Sequence, residues 1–254
     1  MDFTKKYTNI DDEKILLKKI NDLIHRSEKT YSVLYSHFLT PAEQTLLSRV
    51  EEFYGMISFD GGYPDAERRM CRVKCDEYAY DEGLPAVLYS VDISDSDAEI
   101  SHRDVLGSLM GLGIKREMIG DISVNGNTAQ FFCQSSVCDY VEMNLQKIGR
   151  YRVRIKRGVL SDIPEPETKT VSINVSSMRL DSVCGECFGL SRTKAAEAIK
   201  RGEVSVNWLI RYDGDKEVCA GDKLSMRGKG KVEIAGITGM SKKGRLFVEI
   251  KKYI

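Results

Sequence analysis

The sequence Ser177-Met-Arg-Leu-Asp181 opens the stretch that decides the fold of the last third of this chain. Apolar residues recur at helical spacing from Leu180 to Phe188, which predicts a short amphipathic helix. Gly189 follows where a left-handed cap commonly ends a helix. Ser191 is a favourable N-cap for a second helix, which Gly202 is expected to end. The sequence therefore predicts two short consecutive helices.

A strand-rich tail is expected after these helices. Val204 and Val206 alternate with polar residues, as in a half-buried strand. Gly221-Asp222 and Arg227-Gly-Lys-Gly230 are typical of turns. The run from Gly244 to Ile250 predicts a closing strand.

The polar face of this segment is basic, and its side chains suit a phosphate backbone because of their charge and their hydrogen-bonding groups. An isolated basic helix is more often a solvated face. Here, however, the basic groups, the glycine stop, the strand and the turns occur together and in order. The candidate RNA-binding residues are Arg179, Ser191, Arg192, Thr193, Lys194, Lys200, Arg201, Asn207, Arg227 and Lys229.

This combination resembles the RNA-binding domain named after small-subunit ribosomal protein S-four, the alpha-L motif. The resemblance covers residues 171–254 and implies that the paired helices lie against folded or double-stranded RNA. Charge agrees with it: residues 171–254 carry 16 Lys+Arg and 10 Asp+Glu, a net charge of +6, although the whole chain is neutral. A basic module on an acidic body favours a localised nucleic-acid surface.

Composition argues against a membrane protein, a secreted protein and a metal-binding protein. No apolar run approaches the roughly 18 residues that span a bilayer, and the first residues lack the apolar core of a signal peptide. Seven scattered cysteines favour reduced thiols and a cytoplasmic location. Cys184 and Cys187 have metal-ligand spacing but lack a second pair, so we expect buried thiols, no metal and no cofactor.

We predict a helical N-terminal domain over residues 1–83. Three helices are expected. The first begins at Asp11 or Asp12, the second runs over Tyr31–Phe38, and the third begins at the capping sequence Thr40-Pro-Ala-Glu43 and continues to Tyr54. Arg68 and Arg69 stand among acidic residues, and we interpret them as a solvated surface. The fold class is α+β, with a middle domain over residues 84–160, a linker over 161–170 and the S-four-type domain over 171–254.

The middle domain shows the order strand, helix, strand, strand, helix, strand, which is typical of a ferredoxin-like or RRM-like fold. Ser101 is the expected cap of the first helix, Asn125-Gly126 the hairpin turn, and 137–148 the second helix. Phe131 and Phe132 only hint at the exposed aromatics of RNA-recognition modules. Fold analogy alone therefore does not establish RNA binding here.

A basic row ends this domain. Residues two apart in a strand share one face, so the row either contacts RNA as a second surface or forms a solvated edge that prevents strand pairing. Its members are Lys147, Arg150, Arg152, Arg154 and Lys156.

The chain as a whole resembles the bacterial YlmH family, also called RqcP. Gly61–Arg68, His102–Arg116 and Ile119–Ile122 carry the resemblance beside the C-terminal module. It implies a cytoplasmic protein that binds large-subunit ribosomal RNA and peptidyl-site tRNA in ribosome-associated quality control. It also implies a partner of the RqcH/NEMF type, which adds C-terminal alanines. We expect the protein to be non-catalytic and a monomer.

Two alternatives remain open. Arg179-Leu-Asp181 is superficially similar to the catalytic strand of pseudouridine synthases, which would make the chain an RNA-modifying enzyme. We expect Asp181 instead to cap a helix or to pair with an arginine. The other alternative is an interaction protein of cell division, a role associated with the YlmH family through its genomic setting.

Overall fold

The computed structural model describes residues 3–93, 99–158 and 168–253. The chain divides into two compact units, residues 1–164 and 165–254. Both contain helices and antiparallel sheets, which confirms the α+β class. Most of the predicted linker over 161–170 lies outside the described residues, and its last three residues already belong to a strand that begins at Thr168.

The first unit begins with a long helix and continues as two sheets with helices packed on them. Its helices are α1 (Asp11–Thr30), α2 (Pro41–Leu47), α3 (His102–Gly111) and α4 (Cys138–Asn144). Its strands are β1 (Leu34–Leu39), β2 (Ile57–Asp60), β3 (Arg69–Val73), β4 (Ala86–Ile93), β5 (Ile119–Asn125), β6 (Thr128–Gln134), β7 (Lys147–Ile148) and β8 (Tyr151–Arg157).

The N-terminal region is not purely helical, so the prediction of a helix over Tyr31–Phe38 is wrong. Tyr31 adopts a left-handed conformation (φ 49°) that ends α1, and the chain then pairs as β1 with β3. The sheet order is β1-β3-β2. Periodicity in so short an apolar run does not distinguish a helix from a strand. Pairing with the distant strand β3 stabilises the extended conformation here.

Local capping signals were more reliable than segment lengths. Thr40 and Glu43 form the predicted capping box at the start of α2, but the helix ends at Leu47 rather than continuing to Tyr54. Ser101 and Asp104 form a second capping box at the start of α3. Helix α4 stops at Asn144, short of the predicted end at 148.

The second sheet of this unit has the order β5-β6-β4-β8-β7, with antiparallel pairing throughout. Helix α3 connects β4 to β5, and α4 follows β6. The split arrangement expected from the sequence is therefore present. One sheet face packs on these helices in a core that includes Tyr89, Val105 and Phe131.

The other face of this sheet contacts the N-terminal region. Phe38 and Met70 share a buried cluster with Leu88 and Phe132 of the sheet. Gly120 permits this approach, because a Cβ atom there would lie 2.8 Å from the Phe132 Cβ atom and 2.8 Å from the Phe38 ring.

A hydrogen-bonded junction closes the same contact. Asp121 accepts bonds from the Tyr63 hydroxyl (2.7 Å) and from the backbone N–H groups of Glu67 (2.7 Å) and Arg68 (3.0 Å). The Arg68 side chain donates to the carbonyls of Phe38 and Ile119, both at 3.0 Å. Burial lowers the pKa of Arg68, and an arginine that caps carbonyls in this way is a structural group.

Arg69 is also bound internally, since it donates to the carbonyls of Ala66 (2.6 Å) and Pro64 (2.7 Å). The interpretation of Arg68 and Arg69 as a solvated surface was therefore wrong. Arg69 binds carbonyls of its own turn and Arg68 binds carbonyls of β1 and β5, and composition does not reveal such partners.

The second unit places two helices on one face of a six-stranded antiparallel sheet, whose order is β11-β10-β12-β13-β14-β9. Its helices are α5 (Leu180–Phe188) and α6 (Arg192–Lys200). Its strands are β9 (Thr168–Val175), β10 (Val204–Val206), β11 (Leu209–Ile210), β12 (Lys223–Met226), β13 (Gly230–Met240) and β14 (Leu246–Tyr253). The predicted helix pair, glycine cap and closing strand are all present.

Candidate nucleic-acid interface

The two helices of the second unit meet at a tight corner. Gly189 takes the left-handed conformation (φ 65°) that ends α5, and the Leu190 N–H donates to the Gly185 carbonyl (2.8 Å). Ser191 then caps α6 by accepting a bond from the Lys194 N–H (3.3 Å). Its hydroxyl is therefore engaged in the cap, and the corner fixes where α6 begins.

Asp181 joins the beginnings of both helices. Its residue surface is only 6% exposed, and its Oδ2 atom accepts bonds from Arg179 Nη2 (2.9 Å) and Arg192 Nε (3.2 Å). Burial alone would raise the pKa of this carboxyl, but the hydrogen bonds and charges of the two arginines outweigh burial and lower it. Asp181 is thus the arginine partner that the sequence predicted.

The two arginines differ in how many carboxylates they pair with and in how exposed their side chains are. Arg179 also pairs with Asp215, and its side chain is 34% exposed. The Arg192 side chain is 54% exposed and, among the residues that the structure describes, pairs only with Asp181 through Nε. Its terminal nitrogens therefore remain for a phosphate, in the fork geometry that guanidinium groups offer.

Helix α6 presents the other candidates to solvent. Its apolar residues Ala195, Ala198 and Ile199 are buried. At 3.6 residues per turn, Thr193 and Lys200 then lie at the centre of the exposed face, while Arg192 and Lys194 flank it. Glu197 also lies on this face and is exposed, an opposing charge that the sequence interpretation overlooked.

The remaining candidates of this unit fall into two groups. Arg227 and Lys229 are exposed in the turn between β12 and β13. Arg201 forms a paired contact with Glu203 (2.8 and 2.9 Å). Asn207 uses its side chain inside the unit, since Nδ2 donates to Asp222 (2.7 Å) and Oδ1 accepts from the Lys223 N–H (2.9 Å). Asn207 is therefore a turn residue with little capacity left for RNA.

Cys184 and Cys187 lie in the core beneath the helices. Burial raises the pKa of both thiols, that of Cys187 to about 12. All seven cysteines of the chain are free thiols. These two therefore act as small apolar groups.

The basic row of the middle region lies largely on one face of β8. Tyr151, Val153 and Ile155 pack on the core, whereas Arg152, Arg154 and Lys156 are exposed. Lys147 pairs directly with Arg152 across β7 and β8, a like-charge contact that costs stability. Lys156 is neutralised by Asp92 (2.8 Å), and Arg150 lies in the turn before β8 over the Tyr151 ring.

The two phenylalanines that hinted at RNA recognition are both buried. Phe131 faces the helices and stacks on Tyr89, with ring centroids 5.4 Å apart. Phe132 faces the N-terminal region and stacks on Tyr63 at 5.8 Å. Base stacking on this sheet is therefore blocked at both positions by the chain itself.

Comparison with known proteins identifies the family. The family model "YlmH, N-terminal" matches residues 12–78, and "Putative RNA-binding domain in YlmH" matches residues 82–162. The chain is 34% identical over 230 residues to "Ribosome-associated protein quality control protein P2" of Bacillus subtilis (strain 168), and the alignment covers 89% of each chain. The chain belongs to the YlmH family.

A solved structure supports the fold of this YlmH family member. "Cell division protein ylmH from Streptococcus pneumoniae" superimposes with a TM-score of 0.51 at 20% identity. The match covers 61% of this chain and 95% of that one. At this level of identity the likeness concerns the fold. No described helix is long and apolar enough to cross a membrane.

The YlmH-like motifs Gly61–Arg68 and Ile119–Ile122 are the two sides of the Asp121 junction. Sequence reasoning did not find this partnership. The available signal was a pair of glycine-containing motifs, of which the first contains Arg68 beside two acidic residues and the second contains Asp121.

Proposed function

We propose that this chain is a non-catalytic RNA-binding protein of ribosome-associated quality control. In this proposal it binds large-subunit ribosomal RNA and peptidyl-site tRNA in the cytoplasm and supports alanine tailing by an RqcH/NEMF-type factor. The name of its Bacillus subtilis relative and the RNA-binding description of its middle region support the coarser part of the proposal. The finer part rests on the resemblance to the family.

The observation that carries RNA binding is the Asp181 corner. A buried carboxylate fixes two arginines where two helices begin, and the Arg192 side chain is still 54% exposed. Arg192, Lys194 and Lys200 then offer cations along α6 to a phosphate backbone. We propose that the second unit is an alpha-L module with these residues as its contacts. Thr193, Arg227 and Lys229 extend that surface.

The same corner weakens the enzymatic alternative. Asp181 is buried and bonded to two arginines, and its lowered pKa keeps it ionised and engaged. A carboxylate occupied in this way has no free face for a uridine ring. The role we assign to it is to position the arginines.

We further propose that β8 is a second RNA surface. Exposed like charges at Lys147 and Arg152 are adjacent, and Arg154 extends the row. A polyanion would relieve their repulsion. On the side away from β4, the short β7 pairs only with Tyr151 and Arg152, so protection of an open sheet edge is the alternative explanation for Arg154 and Lys156. With Phe131 and Phe132 buried, contact there would be with backbone rather than bases.

Co-sedimentation of the full-length protein with purified large ribosomal subunits tests the proposal. We expect Arg192→Ala/Lys194→Ala to weaken binding and to reduce the slope of log affinity against log salt by about one unit per lost phosphate contact. Lys242→Ala/Lys243→Ala removes two exposed cations from the β13–β14 turn and serves as the control. Arg152→Ala/Arg154→Ala tests the second surface. Wild-type protein that stays unbound at low salt would contradict the ribosome assignment.

A further inference from the structure

The only tryptophan of the chain, Trp208, occupies a strained position. It is the second residue of the two-residue turn between β10 and β11, where Val206 pairs with Leu209. Asn207 and Trp208 both have positive φ, 50° and 63°. Such turns favour Asn-Gly, and a bulky side chain in the left-handed region is an outlier. The turn geometry thus explains Asn207 but not Trp208.

The surroundings of Trp208 are basic and aromatic. The Nζ atoms of Lys223 and Lys231 lie 5.4 and 5.2 Å from its ring centroid. Lys231 also lies 4.6 Å from the ring of Tyr253. We call these four residues the Trp208 cluster.

The cluster lies on the sheet face away from the helices. Leu224 and Val232 point into the core beneath α5 and α6, so the alternating positions Lys223 and Lys231 face the other way. The opposing charge is Glu233, which lies 3.9 Å from Lys223 and accepts a bond from the Tyr253 hydroxyl (3.1 Å). Lys251 also lies 3.9 Å from this carboxylate, so several cationic side chains gather on this part of the sheet face.

We infer that the Trp208 cluster is a stacking site for an unpaired RNA base, separate from the helix surface. This inference rests on the proposed RNA-binding function and deepens it. An aromatic ring offers its face to any base, and adjacent ammonium groups suit the flanking phosphates. Residues held in strained backbone conformations cluster at binding sites. The lysines that cover the indole in the free protein would shift to phosphate oxygens when a base stacks.

Tryptophan fluorescence of the full-length protein reports on this site alone, because the chain has no second tryptophan. A single-stranded oligoadenylate of twelve nucleotides should quench the emission saturably. A blunt twelve-base-pair RNA duplex should bind, as followed by the anisotropy of a labelled strand, without quenching. Unchanged emission on oligoadenylate binding would overturn the inference.

Trp208→Gly separates a binding role from a structural one. Glycine suits this turn, so the variant should melt at the wild-type temperature or above it while binding oligoadenylate about 10-fold more weakly. Trp208→Phe should retain most of the affinity. Lys231→Ala should weaken binding, and Lys242→Ala is its matched control. A Trp208→Gly protein that melts lower, or that binds as wild type does, would show that the tryptophan is structural or idle.

The outcomes distinguish the two proposals. Wild-type protein that binds neither RNA would remove the proposed function as a whole. Duplex binding that survives while the tryptophan experiments fail would remove only the stacking site. Quenching by polyglutamate as strong as quenching by oligoadenylate would assign the cluster to an acidic protein partner and overturn the inference.

Discussion

Replacing Asp181 with asparagine tests whether the helix corner depends on its buried carboxylate. The substitution preserves the shape of the side chain and removes its charge. Arg179 and Arg192 then lose the ionised acceptor that their guanidinium groups share at 2.9 and 3.2 Å. We expect lower stability and weaker RNA binding from the same change.

The magnitude follows from how exposed the partners are. Removing one member of a fully buried ion pair costs about 3–5 kcal/mol. Here the arginine side chains are 34% and 54% exposed, so water screens their charges. Discounting for that screening, we expect the free energy of unfolding to fall by about 1–2 kcal/mol. For a unit of this size, each kcal/mol lowers the melting temperature by about 4–8 °C.

The effect should depend on pH in a defined direction. The folded-state pKa of Asp181 is lowered, so its stabilisation is present above the unfolded-state pKa of about 3.9 and is lost as the pH falls through the folded value. Wild type and Asp181→Asn should therefore differ fully at pH 7 and converge as the pH falls below about 3.9.

Urea unfolding of the full-length protein, followed by Trp208 fluorescence, measures the stability of the second unit. Asp215→Asn is the matched control, since this carboxylate also pairs with Arg179 but its side chain is 72% exposed. We expect the control to lose less than about 1 kcal/mol. Equal losses in both variants, or a difference that persists unchanged at low pH, would refute the reasoning.

Two further predictions concern the cores. Gly120→Ala should lower the stability of the first unit by about 1–3 kcal/mol, because its new Cβ atom would collide with Phe132 and Phe38. The control is Gly107→Ala in α3, whose new Cβ atom meets no atom within 4 Å and which should be neutral or stabilising. Thermal melts compare the two variants, and equal melting temperatures would contradict the packing argument. Iodoacetamide at pH 8 should alkylate the exposed Cys219 rapidly and leave the buried Cys184 and Cys187 unmodified. Peptide mass spectrometry measures the modification, and alkylation of all three thiols at one rate would contradict their burial.

Features set by neighbouring residues could be predicted from the sequence. The caps at Thr40, Ser101 and Ser191 and the left-handed glycine at 189 each depend on only a few consecutive positions. The same holds for the helix pair of the second unit. Local hydrogen bonding decides these features, so tertiary contacts had little room to change them.

Features set by distant partners could not be predicted. Strand β1 exists because β3, about 35 residues later, pairs with it. Arg68 and Asp121 lie 53 residues apart, and no sequence pattern in either segment predicts the hydrogen bond between them. For the candidate site, the sequence indicated the basic residues of α6. It did not show that the Asn207 side chain is hydrogen-bonded within its own turn or that Trp208 has a strained backbone.

The shared cluster of Phe38, Met70, Leu88 and Phe132 bears on how this chain can be dissected. A cut near residue 83 would leave two apolar side chains exposed on each fragment. Fragments with such newly exposed patches self-associate or misfold. Truncation experiments should therefore divide the chain near residue 164, and a phenotype obtained by deleting only the first 83 residues would report a damaged sheet rather than a missing module.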